Sequence, residues 1–286
     1  MVNEIIFNQV YADYRLGPMR SSDVLDNVNL QISKGSFTAI VGHTGAGKSS
    51  LLKTMNGLIL PKQGKVQVGK YVITSKSNKS LKEVRKRVGM VFQFPEAQIF
   101  AETVEKDICF GPMNFGVSES DAKMIAHNVI KQVGLDPSYL QKSPFSLSGG
   151  QKRRVAIAGI LAMNPDILVL DEPGAGLDPK GKQEILSMLS SWNRENHLTT
   201  IMVTHDMEDV AQYAEDIIVM NKGKVVFHNT VREFFSNHNL VESLDLDVPD
   251  ARRFQLQIEQ KTGIQLPKTC LSVDELADCL IEVGLV

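Results

Sequence analysis

The chain has 286 residues, a formal net charge of -2, and 43% hydrophobic and 22% charged residues. That is ordinary globular usage for one large α/β domain plus an appendage, and it provides no basic field to recruit nucleic acid. The longest uninterrupted apolar stretch, Val155 to Met163, is too short to cross a bilayer, and no basic segment leading into an apolar core opens the sequence, so export is not expected. Cys109, Cys270 and Cys279 lack metal-ligand spacing and read as reduced structural cysteines of a cytosolic protein.

In chain order, Ile5-Ile6-Phe7, Gln9-Val10-Tyr11 and Val24 to Ile32 are short β-prone runs separated by turns. Phe37 to Val41 is apolar and β-prone, and Ser50 to Met55 carries apolar residues at helical spacing. Between them Gly42-His43-Thr44-Gly45-Ala46-Gly47-Lys48-Ser49 fits G-x-x-x-x-G-K-[ST], in the strand–loop–helix context that this phosphate-binding loop requires. Glycines let backbone N–H groups turn inward around phosphate oxygens, and the positive end of the new helix adds to the anion site. Lys48 is expected to reach the outer phosphates and Ser49 to bind magnesium. The sequence therefore predicts binding of a nucleoside triphosphate.

Gly64 to Gly69 reads as part of a hairpin. The basic cluster Lys79, Lys82, Arg85, Lys86 and Arg87 is broken by Glu83 and reads as a solvated helix face. From about Val88 to Leu147 the pattern is mainly helical, apart from the β-prone run Val88 to Phe92 that ends in Gln93. Ser118 and Asp121 form a capping signal, Ile125, Val129 and Val133 an apolar face, and Gly134 a helix stop. Ile167 to Leu170 and Thr200 to Val203 suit central parallel strands covered on both faces. Ile217 to Met220, Asn221-Lys222-Gly223 and Lys224 to Phe227 read as a terminal hairpin. Composition shifts near Val231. Beyond it lie two short amphipathic helices, one with Ala251, Phe254 and Ile258 on its apolar face, the other capped by Ser272 with Leu276, Leu280 and Val283.

Asp171 and Glu172 end the first of the central strands. A carboxylate there, paired with the phosphate loop, is a magnesium arrangement, with Asp171 holding the ion and Glu172 orienting or deprotonating water. His205 ends the neighbouring strand and is expected to face the γ-phosphate or that water. Gln93, at a third strand end, can reach magnesium or water. Leu147-Ser148-Gly149-Gly150-Gln151 opens a dense helix and forms a second anion-binding helix start. One nucleotide needs only one such cradle, so the second is expected to serve a triphosphate held by another copy of the fold.

Together these residues resemble the ATP-binding-cassette (ABC) ATPase family over roughly residues 4 to 230. Gly42 to Ser49, with Ser50 beside it, matches the Walker A loop, Gln93 the Q-loop and Leu147 to Gln151 the signature motif. Ile167 to Asp171 matches Walker B, Glu172 the catalytic glutamate, Gly176-Leu177-Asp178 the D-loop and His205 the switch histidine. The resemblance also implies an aromatic stacked on adenine, with Tyr14 the choice and Tyr11 next. It implies a P-loop α/β fold with a parallel-sheet core, an antiparallel β subdomain, a helical subdomain at about 94–160, and a helical extension at 231–286 for dimerisation or docking.

Val91 to Glu96, Gln98 to Phe100, Asp107-Ile108 and Phe110 to Gly116 resemble, more narrowly, ATPases of energy-coupling-factor (ECF) transporters, the second of their paired ATPase subunits. Gly174 departs from that pattern, since relatives usually carry Thr or Ser there. The resemblance implies ATP and Mg2+ as ligands and a head-to-tail pair with a paralogous ATPase. It further implies a membrane scaffold docked near Gln93, where Phe92, Phe94, Ile99 and Phe100 cluster, and a substrate-binding membrane subunit engaged indirectly. The location implied is peripheral, on the cytoplasmic face of the cell membrane, with no nucleic-acid partner. The alternative is a soluble ABC ATPase of translation, DNA repair or cofactor assembly.

Overall fold

The computed structural model describes residues 2–13, 24–76 and 80–285. Strands β1 (Asn3–Ala12) and β2 (Leu25–Ser33) are followed by β3 (Phe37–Val41), helix α1 (Lys48–Met55), β4 (Gln63–Val68) and β5 (Tyr71–Ile73). The two runs Ile5–Phe7 and Gln9–Tyr11 merge into one strand, with a register shift between Phe7 and Val10 and with Gln9 at positive φ. Helix α2 (Leu81–Arg87) leads into β6 (Val88–Val91), then α3 (Val104–Asn114), α4 (Glu119–Gln132) and α5 (Gly149–Leu161). Next come β7 (Ile167–Asp171), α6 (Pro179–Asn196), β8 (Thr199–Val203), α7 (Met207–Tyr213), β9 (Asp216–Asn221) and β10 (Lys224–Thr230). Helices α8 (Val231–Ser236), α9 (His238–Ser243), α10 (Asp250–Thr262) and α11 (Val273–Glu282) follow.

The main sheet runs β10-β9-β3-β8-β7-β6, parallel except for the β9–β10 hairpin, and a smaller antiparallel sheet runs β2-β1-β4-β5. Alternation along the central strands divides the molecule into layers. On β7, Ile167 and Val169 pack into the core shared with α1 and the antiparallel sheet, whereas Leu168 and Leu170 pack against α3, α4, α5 and α6. A strand apolar on both faces needs cover on both, which explains the unbroken apolar run in the sequence. Ser118 caps α4 as expected by accepting the Asp121 N–H, and Gly134 follows that helix at φ +74°.

Helices α8 and α9 belong to the sheet's own packing. Phe234, Phe235 and Val241 are buried against Ala39, Val41, Ile217 and Val219. Residues from Leu266 onward build a separate small core of Leu266, Cys270, Leu276 and Cys279. The expected apolar face of α10 is out of phase. Phe254 is 58% exposed, while Ala251, Arg252 and Gln255 face inward. Gln255 is buried because it donates to the Lys268 carbonyl and accepts the Cys270 N–H, tying α10 to the loop before α11. Those inward residues put Phe254 roughly 100° around the helix from the stripe's centre. The extension also reaches the catalytic edge, where His43 Nε2 lies 3.0 Å from the Leu244 carbonyl and the Asp250 N–H donates to Glu208. No helix among the described residues is long and apolar enough to cross a membrane.

Candidate functional site

The carboxyl edge of the parallel sheet gathers the chemistry, as open α/β sheets do. β3 ends at Val41, and the loop Gly42–Gly47 turns directly into α1. Gly42 sits at φ +139°, and a Cβ there would lie 2.2 Å from the Met220 carbonyl oxygen of β9. Only glycine permits that close approach, which brings the loop back over the sheet edge. His43, Thr44 and Gly45 are exposed, while Ala46 and Ser50 are buried and anchor the loop beneath. Lys48 Nζ donates to the carbonyls of Gly42 (2.6 Å) and His43 (3.0 Å), so the cation lies folded across its own loop. Burial lowers the Lys48 pKa, with Glu172 and Asp171 opposing that shift.

Ser49 Oγ donates to Asp171 Oδ1 at 3.1 Å, joining the start of α1 to the end of β7. Burial raises the Asp171 pKa, and the adjacent Glu172 charge adds to it. A half-buried carboxylate beside a hydroxyl, with its charge under-compensated, is the hard-oxygen donor pair that a small divalent cation prefers, so these residues fit magnesium. Glu172 has φ +50°, a left-handed conformation that costs of order 1–3 kcal/mol in a residue with a side chain. It is held there by its N–H donating to the Val203 carbonyl across β7 and β8 at 3.0 Å. Gln93 Nε2 donates to Glu172 Oε2 at 3.1 Å, and His205 Nδ1 lies 3.6 Å from Glu172 Oε1. The structure thus brings Gln93, Glu172 and His205 together from the ends of β6, β7 and β8. Gln93 meets Glu172 rather than the Ser49–Asp171 pair.

The second helix start, Leu147 to Gln151, belongs to a different layer. Leu147 is buried among the helices, and Ser148, Gly149 and Gly150 are exposed. Ser148 and Gln151 form a reciprocal capping box, and Gln151 also donates to the Tyr139 hydroxyl. A Cβ built on Gly149 or Gly150 meets nothing within 4 Å, so packing inside this chain does not require either glycine. Asp178 caps α6 by accepting the Gly181 N–H. Tyr14 lies outside the described residues, and Tyr11 lies on β1, half-buried. In the basic cluster, Arg87 pairs with Glu4 and Asp166, and Arg85 donates to the Gly57 carbonyl.

The sequence reading passed over two groups. Arg153 is buried at 2% exposure in α5. It donates to both Glu96 oxygens (3.0 and 2.9 Å) and to the Ala175 carbonyl (2.7 Å), lacing the signature helix to the segments after Gln93 and Glu172. Lys182 of α6 pairs with Asp206 and with Asp209 (2.8 Å) beside His205. An arginine just before an unbroken apolar helical run was the one available signal for Arg153. Lys182 carried none.

A phosphate loop, a strand-end carboxylate pair and a second, outward-facing helix start are the features of an ATP-hydrolysing cassette. The sequence profile of the ABC transporter family matches residues 25–175. Energy-coupling factor transporter ATP-binding protein EcfA2 of Listeria monocytogenes serovar 1/2a is 54% identical over 267 residues, 93% of this chain and 92% of the relative. EcfA2 of Geobacillus kaustophilus is 50% identical over 278 residues, 97% and 96% of the two chains. Among solved structures, cbiO1 of Clostridium perfringens, part of the ABC transporter complex cbiONQ, superposes with a TM-score of 0.74 at 31% identity, covering 92% of this chain and all of that one. The dimeric cassette MJ0796, bound to ADP and phosphate in a post-hydrolysis state, gives 0.70 at 31% identity, covering 80% and 99%. The chain belongs to the ABC transporter ATPases and, within them, to the ATP-binding subunits of energy-coupling factor transporters.

Proposed function

We propose that this ATPase powers micronutrient uptake, vitamins among the cargo classes, as a peripheral subunit on the cytoplasmic membrane face, paired head to tail with a paralogous ATPase. The observation that carries the pairing is the exposed Ser148–Gly150 helix start, whose glycines are unexplained by packing within this chain. Facing a partner's nucleotide, those small residues let backbone N–H groups approach phosphate oxygens. The scaffold-docking surface is a groove of about 340 Å³ lined by Pro95, Ile99, Phe100, Phe110, Phe115 and Met163. Phe94, Phe100 and Phe110 are about half exposed or more, whereas Ile99 is core and Phe92 packs partly into the core. An apolar groove of this kind suits a short helix from a membrane subunit.

In the proposed mechanism Lys48 exchanges its two loop carbonyls for the outer phosphates of ATP, and Gly42 to Ser50 supply the cradle. Glu172 accepts a proton from the attacking water while the bond from the γ-phosphorus to the bridging oxygen breaks, yielding ADP and phosphate. Gln93 and His205 each approach a different Glu172 oxygen and hold that carboxylate toward the water. Ser49 and Asp171 would hold Mg2+, which when bound would neutralise phosphate charge, and Gln93, whose Nε2 bonds Glu172, would join them only through its amide oxygen.

The test is recovery of the tagged chain from its native membranes. A second ABC ATPase and a multi-spanning scaffold are the expected companions, and recovery of the chain alone would end the proposed partnership. In that complex Glu172→Gln should keep ATP binding and lose about a hundredfold or more in turnover. Unchanged hydrolysis in the variant would remove Glu172 from the role.

A further inference from the structure

Gly174 is the one motif position that the ATPase chemistry leaves unexplained. Its backbone conformation is open to any residue, so strain does not require glycine here. The reason is space, because a Cβ on Gly174 would lie 2.8 Å from Cγ of Lys182 and 3.2 Å from its Cδ. Lys182 stands in the first turn of α6, just after the Asp178 cap, and its stem lies along the residue 174 backbone. Its ammonium bridges Asp206 and Asp209.

Those two carboxylates flank the loop that carries His205. The Asp206 N–H donates to Thr204 Oγ1 (3.1 Å), and Asp206 Oδ1 accepts the Glu208 N–H (2.9 Å) as the cap of α7. Thr204 Oγ1 also donates to Asp209 Oδ2 at 3.4 Å. His205 itself is 77% exposed on its side chain, so no packing wall sets the ring, and its direction follows from the backbone between Thr204 and Asp206. Burial acting alone would lower the Lys182 pKa, but the bonds to Asp206 and Asp209 outweigh it, so the cation persists at neutral pH. Gln93, Glu172, Gly174, Lys182, His205 and Asp209 all line one cavity of about 420 Å³.

We propose that Lys182 is a positioning residue for hydrolysis, fixing the Thr204–Asp206 segment so that His205 faces Glu172, and that Gly174 is the space this lysine requires. Lys182 touches neither nucleotide nor water in this scheme and acts through His205. The proposal rests on the ATPase reading above.

The experiment measures kcat and KM for ATP in the assembled transporter complex for wild type, Lys182→Met, Lys182→Arg, Gly174→Thr and the double variant Gly174→Thr/Lys182→Met. Lys182→Met should lower kcat by about tenfold or more while KM stays within about twofold. Lys182→Arg should restore most of the rate, because its fork can still bridge both carboxylates. Gly174→Thr should lower kcat by displacing the lysine stem, and should cost little more once Lys182 is already Met. Wild-type kcat in Lys182→Met, equal losses for Met and Arg, or full multiplication of the two single effects would overturn the proposal. If instead Glu172→Gln in the same complex hydrolyses as fast as wild type, the ATPase reading beneath it fails.

Discussion

Replacing Arg153 by Met tests the account of how the helical layer is fastened to the catalytic edge. The guanidinium is almost fully buried and makes two bonds to Glu96, one to Ala175 and longer ones to Pro173 (3.3 Å) and Gln93 (3.5 Å), both carbonyls. Charge-assisted bonds contribute about 1.5–3 kcal/mol each, but burying the cation costs several kcal/mol, so their sum is not the expected loss. Breaking a buried pair by removing one partner typically destabilises by about 3–5 kcal/mol. Here Glu96 keeps 26% of its side chain exposed and can rehydrate, and Met keeps most of the apolar stem, so about 2–3 kcal/mol is expected. For a chain of 286 residues that corresponds to a Tm lower by about 3–5 °C. Nucleotide affinity should survive, because the phosphate loop is anchored in the other core. Turnover should fall, because the carbonyls of Gln93 and of the segment after Glu172 lose their anchor. Differential scanning fluorimetry with and without ATP measures the first effect, and steady-state ATPase assays of the complex the second. A Tm within about 1 °C of wild type would falsify the reasoning.

Lys48→Ala should weaken ATP binding at this chain's own site by about ten- to a hundredfold, the worth of a charge-assisted phosphate contact, and calorimetry on the Glu172→Gln background reads it directly. Gly149→Asp should leave Tm within about 2 °C, since its Cβ enters open space, yet lower turnover of the paired complex by about a hundredfold by aiming a carboxylate at the partner's phosphates. Retained turnover would count against the pairing. The hydrogen bonds and charge of Arg153 outweigh the effect of burial and hold the Glu96 pKa below its ordinary 4.5. A depressed carboxylate stabilises above its unfolded pKa and loses that contribution as pH falls through the folded value. Between about pH 5 and 3, wild type should therefore lose stability more steeply than Glu96→Gln, and parallel unfolding curves would contradict the linkage.

Much of this molecule could be read from local pattern. The glycines of the phosphate loop, the Ser118 and Ser148 caps, the apolar run ending in Asp171 and Glu172, and the Lys222-Gly223 turn each depend on neighbours a few residues away. Periodicity located the strands that are covered on both faces, and the switch from strands to helices marked the layers. The phase of α10 departs from its hydropathy pattern because Gln255, with two backbone partners, takes the inward place that hydropathy assigns to Phe254. Gln93 carried almost no signal by itself, and its meaning comes from the Glu172 oxygen it meets, 79 residues away.

The sequence by itself determined that the chain has a phosphate loop, a strand-end carboxylate pair and a second glycine-rich, serine-capped helix start, because these motifs are built from short-range backbone geometry. Only the tertiary structure decided which side chains share a site. The parallel register of β6, β7 and β8 aligns Gln93, Glu172 and His205, the burial of α5 sends Arg153 to two separate segments, and the close passage of α6 gives Gly174 to Lys182. Such pairings depend on how layers pack across long sequence separations, and no local propensity or periodicity encodes them.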